Sequence, residues 1–115
     1  MCTPKAYSAK SVIFLEAPPF ERIREQYLDD DQYQLLQAAL MANPEAGSLI
    51  SGSGGLRKVR WAVDGKGKRG SLRAIYYWVT RDSHILFLTL YHKSEMADLA
   101  QKDIKALAKL VKGLK

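Results

Sequence analysis

The chain has 115 residues, 47% hydrophobic and 26% charged, with a formal net charge of +6 and a single cysteine, Cys2. That is one domain's worth of chain with enough apolar residues to bury a core unaided. The composition argues against a disordered tail and excludes an internal disulfide or a thiolate metal cluster. No apolar run approaches the ~20 residues of a membrane-spanning helix, and residues 12–15 are too few for a signal-peptide core, so a soluble, cytoplasmic protein is expected, with no membrane partner.

Val12-Ile13-Phe14-Leu15 predicts a short strand, and Pro18-Pro19 ends it and opens a helix. Phe20, Ile23, Tyr27 and Leu28 form that helix's apolar stripe. Asp29-Asp30-Asp31 closes it and starts a second helix, with one Asp as N-cap and the others facing the helix dipole. Tyr33, Leu36 and Leu40 mark the buried face of the second helix, and Asn43-Pro44 ends it. Residues 47–55 read as a Gly/Ser loop. From Leu56 the period becomes two, so Lys58 and Arg60 share one strand face while Arg57, Val59 and Trp61 take the other. After a Gly/Lys loop over 64–70, residues 72–80 are apolar on both faces, as a central strand would be. Residues 85–91 give another strand, and residues 98–113 a helix with Ile104, Leu107, Ala108, Val111 and Leu114 on its apolar stripe. Three strands joined by short loops predict an antiparallel meander. The order β-α-α-β-β-β-α defines an α+β class: an N-terminal strand and helical hairpin, the meander sheet and a C-terminal helix, in one domain spanning 1–115.

The charge is concentrated. Residues 57–81 hold Arg57, Lys58, Arg60, Lys66, Lys68, Arg69, Arg73 and Arg81 against Asp64 alone, whereas residues 1–47 are net acidic. Such a block predicts a polyanionic partner, most simply a nucleic acid. Gly65-Lys66-Gly67-Lys68-Arg69-Gly70 matches a dinucleotide fingerprint in letters only, because a strand and not a helix follows it. Neither Gly-Lys pair precedes Ser or Thr, so a Walker A loop is excluded. The segment reads as a hairpin loop carrying three cations. Lys58, Arg60 and Arg73 lie on strands expected to be neighbours. If they share a face they converge, and a bound phosphate would relieve their repulsion. The competing reading is that their stems cover the sheet and each head meets a carboxylate. His84 and His92 show no metal-ligand spacing; no metal or other cofactor is expected. Lys102, Lys105, Lys109 and Lys112 read first as a solvated helix face, with RNA contact as the alternative. Tyr76, Tyr77 and Trp78 read as core.

Taken together, residues 54–60, the basic loop 65–70, Leu72-Arg73-Ala74-Ile75-Tyr76-Tyr77 and Leu88-Thr89-Leu90-Tyr91-His92-Lys93-Ser94-Glu95 resemble the RelE/HigB family of bacterial toxins, closest to the HigB-like branch. Tyr27-Leu28-Asp29-Asp30 and Asn43-Pro44-Glu45-Ala46-Gly47 fit the same pattern, and the likeness covers about residues 11–110. The resemblance implies a RelE-like fold and the toxin of a type II toxin–antitoxin system. It implies an endoribonuclease that cleaves mRNA in the A site of the 70S ribosome and so inhibits translation. It also implies a cognate antitoxin, of helix-turn-helix type in the HigB-like branch, through which the complex reaches promoter DNA. By resemblance Lys58, Arg60, Lys68, Arg73, Tyr91 and Lys93 are the catalytic candidates, and Arg57, Lys66 and Arg69 the RNA-binding ones. His92 stands where the family pattern has a small residue.

The chemistry constrains the roles. Cleavage without a metal uses the ribose 2′-OH as nucleophile and needs a base, charge stabilisation and an acid for the leaving 5′-oxygen. Arginine stays protonated, so Arg60 and Arg73 are assigned to clamping the phosphate, and the base is a lysine or a tyrosine. Two other readings share the charge pattern: a non-catalytic RNA- or DNA-binding module, and a gyrase inhibitor of the ParE branch.

Overall fold

The computed structural model describes residues 13–61, 72–79, 84–92 and 99–112. Along these the chain forms β1 (Ile13–Glu16), α1 (Pro18–Tyr27), α2 (Asp30–Ala42), β2 (Ser48–Leu49), β3 (Leu56–Trp61), β4 (Leu72–Val79), β5 (His84–His92) and α3 (Gln101–Lys112). This is the expected α+β order with one addition: β2 lies within the segment expected to be wholly loop. Val12 and the far ends of the expected C-terminal helix fall outside the described residues.

Local chemistry sets the helix ends. Prolines occupy the opening positions of α1, where a missing N–H leaves no bond unmade. Leu28 closes α1, its N–H donating to Arg24 O at 2.8 Å. Asp29 caps α2 through an oxygen that accepts the Gln32 N–H at 2.8 Å. Arg24 fixes the corner between the helices: Nη1 donates to Leu28 O at 3.0 Å and to Asp30 Oδ1 at 3.1 Å, and the guanidinium lies 4.7 Å from the centre of the Tyr33 ring. Tyr33 in turn donates to Glu16 Oε2 at 2.5 Å, tying α2 to β1.

The sheet order is β1-β5-β4-β3-β2. β3, β4 and β5 form the antiparallel meander, while β1 lies parallel to β5 at one edge and β2 pairs antiparallel with β3 at the other. β4 is the middle strand, and its residues from Leu72 to Tyr76 are buried on both faces. One face is covered by α1 and α2, where Phe20, Leu36 and Leu40 join Ala74, Tyr76 and Phe87. The other face is covered by α3, whose Ile104, Leu107 and Val111 join Leu56, Ile75 and Leu88. Full burial of a side chain such as Phe20, Leu36, Leu40, Leu56, Ile75, Phe87 or Leu88 contributes about 1.5–3 kcal/mol of transfer free energy.

One irregularity positions the site. The β4–β5 register passes from Tyr76↔Phe87 to Ile75↔Thr89, so Leu88 is an extra residue on β5. A one-residue insertion reverses which side chains face which side beyond it. Leu86 and Leu88 therefore pack on the α3 face, and so does Tyr91, three residues further on. His92 takes the opposite face, where its ring meets Tyr27 edge-on at 5.2 Å.

Candidate active site

In the meander Arg60 pairs with Arg73, and Arg73 pairs with Tyr91. Residues directly opposite in antiparallel strands project to the same face, with Cβ atoms about 4.5–5.5 Å apart. Arg60, Arg73 and Tyr91 thus form one row across three strands on the α3 face. Lys58, two residues before Arg60 and opposite Ile75, shares that face. Four of the sequence candidates are brought together by backbone register alone.

Their environments differ. Arg60 is exposed and Lys58 half-buried, whereas Arg73 is 7% exposed and Tyr91 4%. Among the described residues Arg73 Nε and Nη1 have no hydrogen-bond partner, and neither Arg60 nor Arg73 forms an ion pair. Buried charges are ordinarily paired, and each orphaned donor costs about 1–3 kcal/mol. A phosphate oxygen at this row would satisfy the guanidinium with charge-assisted bonds.

Beside the row lies a groove of about 790 Å³. Lys58, Arg60 and Tyr91 line its sheet side, Ser48 and Leu49 of β2 form one wall, and Gln101 of α3 contributes the other. The β2 wall is held from behind the sheet. Arg57 and Tyr76 stand opposite each other on the face away from the groove, and both reach the turn that precedes β2. Arg57 Nη1 donates to Gly47 O at 2.7 Å and to Glu45 O at 3.4 Å. The Tyr76 hydroxyl donates to Pro44 O at 2.7 Å and accepts the Gly47 N–H at 2.9 Å. Burial pushes the Tyr76 phenol pKa up, against the opposing pull of the Gly47 hydrogen bond and the nearby Arg57 charge. Gly47 fits because it has no side chain: an added Cβ would lie 2.9 Å from Lys58 O. The next turn is closed by Ser53, whose hydroxyl donates to Ile50 O at 2.6 Å and accepts the Leu56 N–H at 3.0 Å. Gly52 and Gly54 in that turn have φ of 70° and 78°, which accounts for the glycines there.

Of the RNA-binding candidates, Arg57 is placed away from the row and bound to backbone carbonyls; Lys66 and Arg69 lie outside the described residues, as do the catalytic candidates Lys68 and Lys93. The sequence reading missed β2, the Arg57–Tyr76 clasp and the Gln101 wall. Only the alternation of β3, which puts Arg57 on the opposite face from Lys58 and Arg60, hinted at any of these.

A family model described as the RelE toxin of the RelE/RelB toxin–antitoxin system matches residues 13–115. The chain belongs to the RelE toxin family. Membership in a toxin–antitoxin system gives this RelE-family toxin an antitoxin as partner. A mutant of the E. coli toxin RelE, solved in the free state, is similar in structure, with a TM-score of 0.53 and 10% sequence identity over 85% of this chain and 94% of that chain. At that identity the likeness is one of fold, and the α+β, RelE-like architecture expected from the sequence is the one observed.

Proposed function

We propose that this RelE-family toxin is a ribosome-dependent mRNA endonuclease that stops translation in the cytoplasm, and that the row Arg60–Arg73–Tyr91, with Lys58 beside it, holds the scissile phosphodiester. The observation that supports this reading is the buried Arg73, flanked by Arg60 and Tyr91 on one sheet face, with two guanidinium nitrogens lacking partners among the described residues.

The reaction is transesterification. The 2′-oxygen attacks the adjacent phosphorus as its proton passes to a base, and the bond from phosphorus to the 5′-oxygen breaks as that oxygen gains a proton. The products are a 2′,3′-cyclic phosphate and a 5′-hydroxyl. Negative charge grows on the non-bridging oxygens, and Arg60 and Arg73 stabilise it with bonds stronger in the transition state than in the ground state. Tyr91, at the end of the row, is a candidate proton donor to the leaving oxygen. The base is Lys58, Lys68, Lys93 or Tyr91. With no histidine–carboxylate pair in the row, intrinsic rates are expected to be slow, and the ribosome supplies the orientation of the strand. The antitoxin, a helix-turn-helix protein in this reading, neutralises the toxin and carries the complex to promoter DNA.

Expression from a tightly repressed promoter tests the reading. Wild type is expected to arrest growth and to leave mRNA ends with 5′-hydroxyls inside translated frames, whereas Arg73→Ala and the exposed-site variant Arg60→Ala do neither. Intact mRNA during wild-type arrest would overturn the nuclease reading, and altered DNA supercoiling in those cells would point to gyrase instead.

A further inference from the structure

The active-site groove does not end at the catalytic row. Gly52 and Lys105, next in sequence to Ser51 and Ile104 of that groove, belong to a second groove of about 400 Å³, lined by Gly52, Ser53 and Gly54 on one side and by Lys105, Lys109 and Lys112 of α3 on the other. Both grooves lie in the crease between α3 and the segment 48–54. No carboxylate lines either groove among the described residues. The three lysines are exposed, while the opposite stripe of α3, Ile104, Leu107 and Val111, is buried against the sheet. Helical spacing therefore carries the ammonium groups along the crease over about 10 Å of helix axis. On the facing wall, space is open at Gly52 and Gly54, where an added Cβ would meet nothing within 4 Å, so a backbone can approach closely.

We infer that this crease is a track for the substrate strand: single-stranded RNA leaves the phosphodiester site and runs between α3 and the 50–55 turn, its phosphates on Lys105, Lys109 and Lys112. The inference rests on the nuclease reading for the location of the scissile bond, and on charge and the placement of both grooves along α3 for the rest. An extended polyanion fits because the cations are evenly spaced, line an open-ended furrow and face main chain across it. Lys102 lies on the same helix but does not line the crease.

Binding of non-cleavable 2′-O-methyl oligoribonucleotides, followed by fluorescence anisotropy, tests the track apart from catalysis. Wild type is expected to bind an octanucleotide at least tenfold more tightly than a dinucleotide. The triple variant Lys105→Gln/Lys109→Gln/Lys112→Gln is expected to bind the dinucleotide as wild type does and to lose the gain with length. Its salt dependence should be shallower by about 2 in the slope of log affinity against log salt, at ~0.7 per phosphate contact on a single strand. Lys102→Gln is expected to change neither. The track is overturned if the triple variant keeps the length gain, or if Lys102→Gln alone weakens octanucleotide binding as much as Lys105→Gln alone. It is also overturned if the triple variant loses ribosome binding while oligonucleotide binding is unchanged, which assigns the lysines to ribosomal RNA. Absence of mRNA cleavage by wild type would remove the nuclease reading and leave these binding outcomes intact, so the two fail separately.

Discussion

Arg60 on β3 and Arg73 on β4 face each other across the strand pair, two like charges in directly opposed positions with no ion-pair partner among the described residues. Like charges so placed destabilise a sheet by up to ~1 kcal/mol. Arg60→Gln is therefore expected to raise the thermal midpoint of the nucleic-acid-free protein while weakening its binding to RNA. Thermal denaturation with and without an oligoribonucleotide measures both. A midpoint that falls on substitution would show that the pair is not under repulsion.

Behind the sheet, the Tyr76 hydroxyl satisfies both Pro44 O and the Gly47 N–H. Tyr76→Phe leaves two backbone groups without this partner, at a cost of about 1–3 kcal/mol, and loosens the turn that carries the β2 wall. Urea denaturation should show the lost stability, and RNA affinity should fall with it although Tyr76 lies on the far face from the groove. Unchanged affinity in a folded Tyr76→Phe protein would show that the clasp does not shape the groove.

Gly47 lies against the main chain of β3, and an added methyl would meet Lys58 O at 2.9 Å and Tyr76 Cε1 at 3.0 Å. The backbone atom cannot swing aside as a side chain would. Gly47→Ala is expected to destabilise by about 1–3 kcal/mol, the range for overpacking, read from the urea midpoint at constant m-value. A neutral outcome would mean that the turn can lift off β3 freely.

Burial, reinforced by the hydrogen bond to Glu16, pushes the Tyr33 phenol pKa well above its ordinary value. The unfolded chain releases this proton near pH 10 and the folded chain keeps it, so the folded state binds more protons above that pH and stability falls as pH rises. Tyr33→Phe is expected to flatten this alkaline decline relative to wild type when urea stability is followed from pH 9 to pH 11.5. Parallel declines would remove Tyr33 as its source.

Much of this arrangement was legible from local chemistry. The prolines of α1, the Asp29 cap, the stripe Tyr33, Leu36 and Leu40, and the two-sided apolar run of β4 each announce themselves within a few residues. The shared face of Lys58 and Arg60 follows from alternation. What stayed hidden depends on partners distant in the chain. β2 has two exposed residues and no periodicity of its own; it is a strand because the Arg57–Tyr76 clasp sets its turn against β3. The parallel seat of β1 on β5 is a tertiary choice that the apolar run 12–15 does not encode. The extra residue Leu88 decides which face Tyr91 takes, and nothing in the run from His84 to His92 marks it. Arg57 shows the limit of reading charge alone: within the basic block it looks like a ligand for RNA, yet its guanidinium is occupied by Glu45 O and Gly47 O.

In the proposed reaction Arg73 stabilises the phosphodiester as it is cleaved. Single-turnover cleavage of mRNA on programmed ribosomes, wild type against Arg73→Ala, measures this role, with circular dichroism to confirm that the variant is folded. The expected result is a cleavage step slower by on the order of 10²–10³, the loss associated with removing one preorganised donor to a charged transition state, at similar ribosome affinity. A folded Arg73→Ala toxin that cuts at the wild-type rate would show that Arg73 plays no part in the cleavage step.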